Sequence, residues 1–488
     1  MSRPSARPAP RIVVIGAGFG GLSAALRLAA AGQDVTVVER TATVGGKARQ
    51  VSVGGHGVAG GPTVFTMRWV FDALFAEAGS STEAELALTR AHVLARHAWP
   101  DGSRFDLMAD AEATVEGIRA FAGDAEATRY ARFARETERA FRLFRHSFIE
   151  ASRPSPLDIV RRLGPVGSAE LLAVRPAASM WRVLSARLRD PRLRQLFGRY
   201  ATYCGSSPFR APATLTLIAH VEQLGVWTVA GGMQAVAGRL ARLIERHGGR
   251  LRLGTGVARI EVAGGRAAAV ILEDGTRIAA DAVVFNGDAG ALGAGLLGGD
   301  VRRASPATRV GRRSLSALVW CARTRAEGFP LSHHTVFFGP DYPREFSEIA
   351  AGRLPPDPTT YVCAEDRAAA DGPPPEGPER LQVLVNAPAT GDTDQAPSEE
   401  EIARCREETC SLMARAGLSL ELSPREAVLT GPREFAALFP GTGGALYGRA
   451  THGPVASFLR PTARTRVPGL YLVGGSAHPG AGVPMAVL

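Results

Sequence analysis

The chain has 488 residues, 45% of them hydrophobic and 21% charged. This composition excludes a disordered or fibrous chain, and the length exceeds what one ordinary core fills, so two or three domains are expected. The formal charge is +10, almost all of it from arginine, with Lys47 the single lysine; a coding bias toward arginine explains that balance, and charge alone is no ground for a nucleic-acid partner.

The opening MSRPSARPAPR is a short basic tail that runs straight into a strand. No apolar stretch precedes the fold, so no signal peptide is read there. Ile12 to Ile15 predicts a strand, Gly21 to Ala31 a helix ended by Gly32, and Val35 to Val38 a second strand. The unbroken β-branched runs are those of parallel strands covered on both faces. Between strand and helix stands Gly16-Ala17-Gly18-Phe19-Gly20-Gly21. Gly16 permits the tight turn, Gly18 a close backbone approach to a pyrophosphate, and Gly21 close packing of helix on strand. The helix N-terminus adds free N–H groups and a positive dipole end. Glu39 ends the second strand, placed to accept from ribose hydroxyls and to repel a 2′-phosphate, which disfavours NADP. Gly45-Gly46-Lys47 follows. A plain turn is the simple reading of two adjacent glycines, but a lone lysine there suits a phosphate.

From about Phe71 to Arg199 the pattern reads mainly as helix. Twelve arginines lie between Phe141 and Tyr200, interleaved with apolar residues such as Leu143, Phe148, Leu157, Val160 and Leu172. A basic amphipathic stretch of this kind suits an anionic lipid surface, each near-surface arginine contributing about 1 kcal/mol, although a solvated face has the same composition. Asp158, near Arg153, is the one carboxylate of this region weighed for chemistry, against the plainer reading of a solvated surface group. A helix is predicted from Gly232 to His247, then strands at Leu251–Leu253, Gly256–Val262, Ala267–Leu272 and Arg277–Ile278, with a hairpin signal at Asp274-Gly275. Ala282–Phe285 is a buried strand, and Leu354 to Pro378, with Pro373-Pro374-Pro375, a surface loop. Leu381–Val385 is a strand, Glu399–Ala416 a helix and Tyr471–Val473 the last strand. His333 and His334 are expected on opposite faces of a strand, so no metal site is read there. Five cysteines without a C-x-x-C pair suit free thiols in a reducing compartment. No uncharged apolar run reaches the roughly 20 residues needed to span a bilayer.

The chain ends in Tyr-Leu-Val-Gly474-Gly475-Ser476-Ala477-His478-Pro479-Gly480-Ala481-Gly482-Val483-Pro484-Met485, a strand and Gly-rich loop with Pro484 at a helix start. This ending, the Gly16–Gly21, Glu39 and Gly45–Lys47 opening, Gly60-Gly61-Pro62-Thr63 and Val229-Ala230-Gly231-Gly232-Met233 together resemble the phytoene-desaturase family of carotenoid desaturases, within the amine-oxidase-like flavoproteins. The likeness covers nearly the whole chain. Tyr203-Cys204-Gly205-Ser206-Ser207-Pro208, Ala211-Pro212-Ala213-Thr214 and Gly225-Val226-Trp227 look most like the 1-hydroxycarotenoid 3,4-desaturases, also called methoxyneurosporene dehydrogenases.

The resemblance implies FAD as cofactor. Gly16, Ala17, Gly18, Gly21, Glu39, Arg40, Gly45, Gly46, Lys47 and Gly61 would serve its ADP side, with the Val257 backbone near the adenine. Gly475, Val483, Pro484 and Met485 would meet the ribityl chain and flavin ring, where a helix N-terminus stabilises reduced flavin. It implies an α/β fold, α+β in full: a Rossmann-type FAD-binding domain (11–75, 225–300 and 465–488), a mixed-sheet substrate domain (301–464) and a helical lid or membrane-facing subdomain (76–224). Family members continue past the equivalent of Leu488, so a truncated C-terminus is expected. The implied reaction is introduction of a C-3,4 double bond into an acyclic 1-hydroxycarotenoid by hydride transfer to FAD, with a proton leaving the neighbouring carbon. Because a cation beside a polyene is already acidic, no catalytic side chain is assigned. Membrane lipid is the expected second partner, oxygen or a quinone the electron acceptor, and the inner cytoplasmic membrane surface the location. Phytoene desaturase, ketolase and isomerase activities are the nearest alternatives. An amine oxidase would need aromatic walls that 7% aromatic content and the C-terminal motif do not provide. A non-enzymatic prenyl-lipid escort would have lost the flavin motifs.

Overall fold

The computed structural model describes residues 9–152, 154–367 and 375–488. Most of the basic tail, Arg153 and Pro373-Pro374 lie outside the described residues. Three segments remote in sequence form one five-stranded parallel sheet, in the order Arg250–Arg252, Asp34–Val38, Arg11–Ile15, Ala282–Phe285, Leu470–Leu472. Its central strands are buried on both faces, as their β-branched runs require. Helix Phe19–Ala30 covers one face through Leu22, Ala25, Leu26 and Ala29, in a core shared with Phe71, Phe75, Val236 and Leu240. The other face packs Val13, Val283 and Phe285 against Ile260, Val270 and Leu272 of a three-stranded antiparallel sheet. The turn at Asp274-Gly275 closes that sheet, with Gly275 at positive φ and Asp274 Oδ1 accepting from the Thr276 N–H at 2.8 Å.

A second, seven-stranded mixed sheet runs Ala427–Thr430, Ser316–Thr324, Glu379–Ala387, Thr360–Ala364, His334–Phe337, Val93–Ala98, Arg104–Met108. Helix Glu399–Arg415, started by a reciprocal Ser398–Glu401 capping box, seats Cys405, Leu412 and Met413 on one face. The hairpin Gln50–Val53/His56–Ala59 seats Val51, Val53 and Val58 on the other. That hairpin directly follows Lys47, so the chain passes from the nucleotide-binding turn onto the second sheet within a few residues.

The stretch from Phe71 to Arg199 is not helical throughout. Leu88–Arg90, Val93–Ala98 and Arg104–Met108 are strands, and the last two complete the seven-stranded sheet. Val93–Ala98 is buried on both sides, so it lacks the polar alternation that marks a half-exposed strand and shares its short apolar pattern with a buried helix. Helices from Ala111 to Gln223 make up the rest, around Phe133, Leu184, Leu193, Phe197 and Tyr200. Among the described residues no helix is long and apolar enough to cross a membrane. All five cysteines are free.

Candidate active site

The glycine turn is built for backbone approach. The Gly16 N–H donates to the Val38 carbonyl at 2.8 Å, and the Gly45 N–H to the Ala17 carbonyl at 2.8 Å, so the two glycine loops lie side by side. A Cβ on Gly18 would stand 2.9 Å from Asn286 Nδ2, and one on Gly20 2.6 Å from Gly474 Cα. One on Gly21 would run into the Gly16 carbonyl oxygen. Glu39 is buried. Its Oε2 accepts from the Ala17 N–H at 2.7 Å, and its Oε1 from the Thr41 N–H at 3.0 Å and hydroxyl at 2.8 Å. The Glu39 backbone also bonds to Arg252 and Thr255, which brings the Thr255-Gly256-Val257 segment alongside. Arg40 turns away, its guanidinium donating to the Ala437 and Leu438 carbonyls.

The two ends of the chain meet here. Besides the Gly20–Gly474 approach, Arg27 Nη1 donates to the Val487 carbonyl at 2.6 Å. The short helix Val483–Val487, which carries Pro484 and Met485, packs on helices Phe19–Ala30 and Arg68–Glu77. The Gly475 carbonyl accepts from Arg460 Nη1 at 2.9 Å. Arg460 is only 6% exposed, and its guanidinium also reaches the Tyr447 carbonyl at 3.3 Å, the Arg449 carbonyl at 3.1 Å and Thr451 Oγ1 at 3.4 Å. One buried arginine thus pins the C-terminal loop to the second half of the molecule.

Lys47 faces inward. Its ammonium donates to the Leu446 carbonyl and lies 5.3 Å from the Phe439 ring centroid. Burial lowers its pKa, partly offset by the Asp288 carboxylate. A Cβ on Gly61 would overlap the Lys47 carbonyl, and Gln382 Nε2 holds the Gly61 carbonyl at 2.9 Å. Two residues on, Thr63 Oγ1 shares a 2.7 Å hydrogen bond with Tyr361 Oη.

Several residues here were not singled out from sequence. Asn286 Nδ2 donates to the Gly16 carbonyl at 3.2 Å while its Oδ1 borders Gly474. Asp288 caps the helix at Ala289 and accepts from the Gly290 N–H at 2.8 Å. Both follow the buried strand Ala282–Phe285, and a polar pair at the carboxyl end of a parallel strand was the available signal. Asp158 is half-buried and completes a capping box with Ser155, with Ser155 Oγ donating to its Oδ2 at 2.6 Å. The expectation that His333 and His334 point apart is corrected. His333 precedes the strand, so strand alternation does not govern it. The two rings lie 4.6 Å apart, and their ligand atoms and Cys363 Sγ fall within 4.8 Å of one another.

A bare-backbone turn, an acidic strand end and a glycine loop brought back from the far terminus form a cradle that a dinucleotide fits and that a Cβ would fill. The sequence matches the family described as flavin containing amine oxidoreductase over residues 19–488. The chain belongs to this flavin-containing amine oxidoreductase family. It is 50% identical to a hydroxyneurosporene desaturase of Rubrivivax gelatinosus over 98% of this chain and 91% of that protein. It is 46% identical to the protein of that name from Cereibacter sphaeroides, over 98% and 95%. An oxidoreductase structure from Methanosarcina mazei aligns over 98% of both chains with a TM-score of 0.62 at 16% identity, a likeness of fold. The chain is therefore an FAD-dependent oxidoreductase with the fold of the amine-oxidase-like flavoproteins.

Proposed function

We propose that the chain introduces a C-3,4 double bond into acyclic 1-hydroxycarotenoids of the hydroxyneurosporene type. The observation that carries this is the 46–50% identity, over 98% of the chain, to relatives named hydroxyneurosporene desaturase, together with the glycine cradle joined from both termini. Gly16, Gly18, Gly21, Glu39, Gly45 and Gly46 would hold the ADP half of FAD, Val257 would pass beside its adenine, and Gly475, Val483, Pro484 and Met485 would meet its flavin half. Lys47 would lie beside the cofactor, whereas Arg40 is directed to the Ala437 and Leu438 carbonyls instead. FAD, when bound, supplies the two-electron oxidation. The protein's part is to hold the C3–C4 bond at the flavin and keep water out. On this reading 11–75, 225–300 and 465–488 form the FAD-binding unit, 301–464 the substrate unit and 76–224 the helical unit that meets the membrane. The electron acceptor is oxygen or a quinone.

Helix Pro156–Ala173 supports a membrane partner. Gly164, at φ 65°, kinks it beside Pro165. Leu157, Val166 and Leu172 are 81%, 76% and 75% exposed, with Arg161 and Arg162 also exposed beside them. Exposed apolar side chains next to arginines suit an interfacial helix on the cytoplasmic face of the inner membrane. Co-expression in a host that accumulates 1-hydroxyneurosporene tests the activity. The expected result is a pigment with one further conjugated double bond; unchanged 1-hydroxyneurosporene beside a well-expressed, flavin-loaded protein would refute it.

A further inference from the structure

Arg199 is a cation held by tyrosines rather than by a carboxylate ion pair. It lies just after helix Pro191–Gly198 and is half-buried. Its guanidinium sits between two tyrosine rings, 5.2 Å from the centroids of both Tyr203 and Tyr361. Its side-chain hydrogen bond is from Nη1 to Tyr203 Oη, at 2.9 Å. Among the described residues it forms no ion pair; the acidic group that acts on it, Glu222, has its Oε2 taken by the Tyr200 hydroxyl at 2.5 Å. A guanidinium offers five donors in a fixed fork, and Tyr203 takes only one of them. Three further buried polar atoms without a partner are His97 Nδ1, His334 Nε2 and Tyr342 Oη, all in side chains within the electrostatic reach of Arg199.

A chain of contacts links Arg199 to the cofactor cradle. Tyr361, under the Arg199 guanidinium, is hydrogen-bonded to Thr63 of the Gly60–Thr63 segment. The Arg199–Cys204 turn runs on to Gly205, where a Cβ would meet the Tyr447 ring, and the Tyr447 carbonyl is held by Arg460. A half-buried cation is a poor wall for a hydrocarbon. Covering it with an alkyl end removes its remaining hydration and returns nothing, whereas an oxygen acceptor satisfies it. In the proposed substrate the hydroxyl oxygen is three bonds from C3, so the group that reads it must lie close to where C3–C4 is oxidised.

We infer that Arg199, held between Tyr203 and Tyr361, is the oxygen-binding subsite for the substrate's C1 hydroxyl and rejects carotenoids that lack it. This rests on the proposed activity. The cation acts in both directions: its N–H groups favour an oxygenated end, and its desolvation cost disfavours a hydrocarbon one.

The test uses flavin-loaded wild type, Arg199→Met, Arg199→Gln and Tyr203→Phe, each assayed on 1-hydroxyneurosporene and on neurosporene in the same lipid vesicles. In Arg199→Met, kcat/KM for the hydroxylated substrate is expected to fall about 10–100-fold, the range of a lost charged hydrogen bond. Turnover of neurosporene should hold or rise. Arg199→Gln, which keeps neutral donors, should lie between, and Tyr203→Phe should lose a few-fold with the same sign. Flavin content and Tm control for folding, and should Arg199→Met not fold, the other two variants carry the test. Unchanged discrimination, or equal loss on both substrates in a flavin-loaded variant, overturns the inference. Failure of wild type to act on 1-hydroxyneurosporene at all overturns instead the proposed activity.

Discussion

The parallel sheet that carries the glycine turns and the mixed sheet with the polar groups around Tyr361 use their residues in opposite ways. In the first, function rests on side chains that are missing. Gly18, Gly20 and Gly21 leave backbone where any Cβ would strike Asn286, Gly474 or Gly16. Around the second, the proposed selectivity rests on polar side chains set against the core: half-buried Arg199 and Tyr361, with buried His334 and Glu345 nearby. A backbone site tolerates no added atoms, whereas a side-chain site tolerates conservative exchange with a graded change in selectivity. The variants below separate these two behaviours.

The largest effect is expected in the first region. Gly21→Val places a branched side chain against the Gly16 carbonyl and should weaken FAD binding by roughly 10–100-fold or more, since steric insertion into a packed site costs about 1–3 kcal/mol. Flavin released per mole of purified protein measures it, and full flavin occupancy would break the comparison. Next is the seam between the regions. Arg460→Met leaves the Gly475, Tyr447 and Arg449 carbonyls without their shared donor. Unsatisfied buried acceptors cost about 1–3 kcal/mol each, so thermal unfolding should shift down by several degrees and flavin content fall with it. An unchanged Tm would show that the C-terminal loop is held by its glycines alone.

What could be read in advance follows the same division. The Gly16–Gly21 turn, Glu39 and the Gly474–Met485 loop were legible because backbone chemistry dictates residue type at fixed spacing, and nothing else in a sequence demands so many glycines after a buried strand. Asn286 and Arg460 were not, because each acts on a segment that only folding brings near: Gly16 lies 270 residues from Asn286. Val93–Ala98 was missed because burial on both faces erased its period. Arg199 was hidden among eleven other arginines of its stretch, indistinguishable in sequence from those that face water.

A third, smaller effect concerns the outer face of the helical layer. The double variant Leu157→Asp, Leu172→Asp removes two exposed apolar contacts and should lower partition onto anionic vesicles about tenfold or more with Tm unchanged. Co-sedimentation reads it, and undiminished binding would place the membrane contact elsewhere. The smallest effect is the pH response of the mixed sheet's buried polar groups. Burial raises the Glu345 pKa to about 7, against the hydrogen bonds from Thr359 and Asn386 that lower it. The folded state then holds a proton that the unfolded state has lost. Stability from this group is greatest below the unfolded pKa near 4.5 and declines as pH rises to about 7. His97 does the opposite: burial and the nearby Arg199 lower its pKa to about 3, so its contribution is full above 6.5 and declines as pH falls toward 3. In Glu345→Gln the first decline should vanish. Its Tm relative to wild type should therefore improve from pH 5 to pH 8, by about 1–2 °C or more for a chain of this size; no change with pH would mean that Glu345 is charged in the fold.

The most direct measurement mixes the purified, FAD-loaded protein anaerobically with 1-hydroxyneurosporene in lipid vesicles and follows flavin absorbance and pigment together. The account predicts that the oxidised-flavin band disappears as one equivalent of the more conjugated carotenoid forms, and returns when a quinone or oxygen is admitted. Product formed without loss of that band, or a fully loaded flavin that stays oxidised while the carotenoid is unchanged, would contradict it.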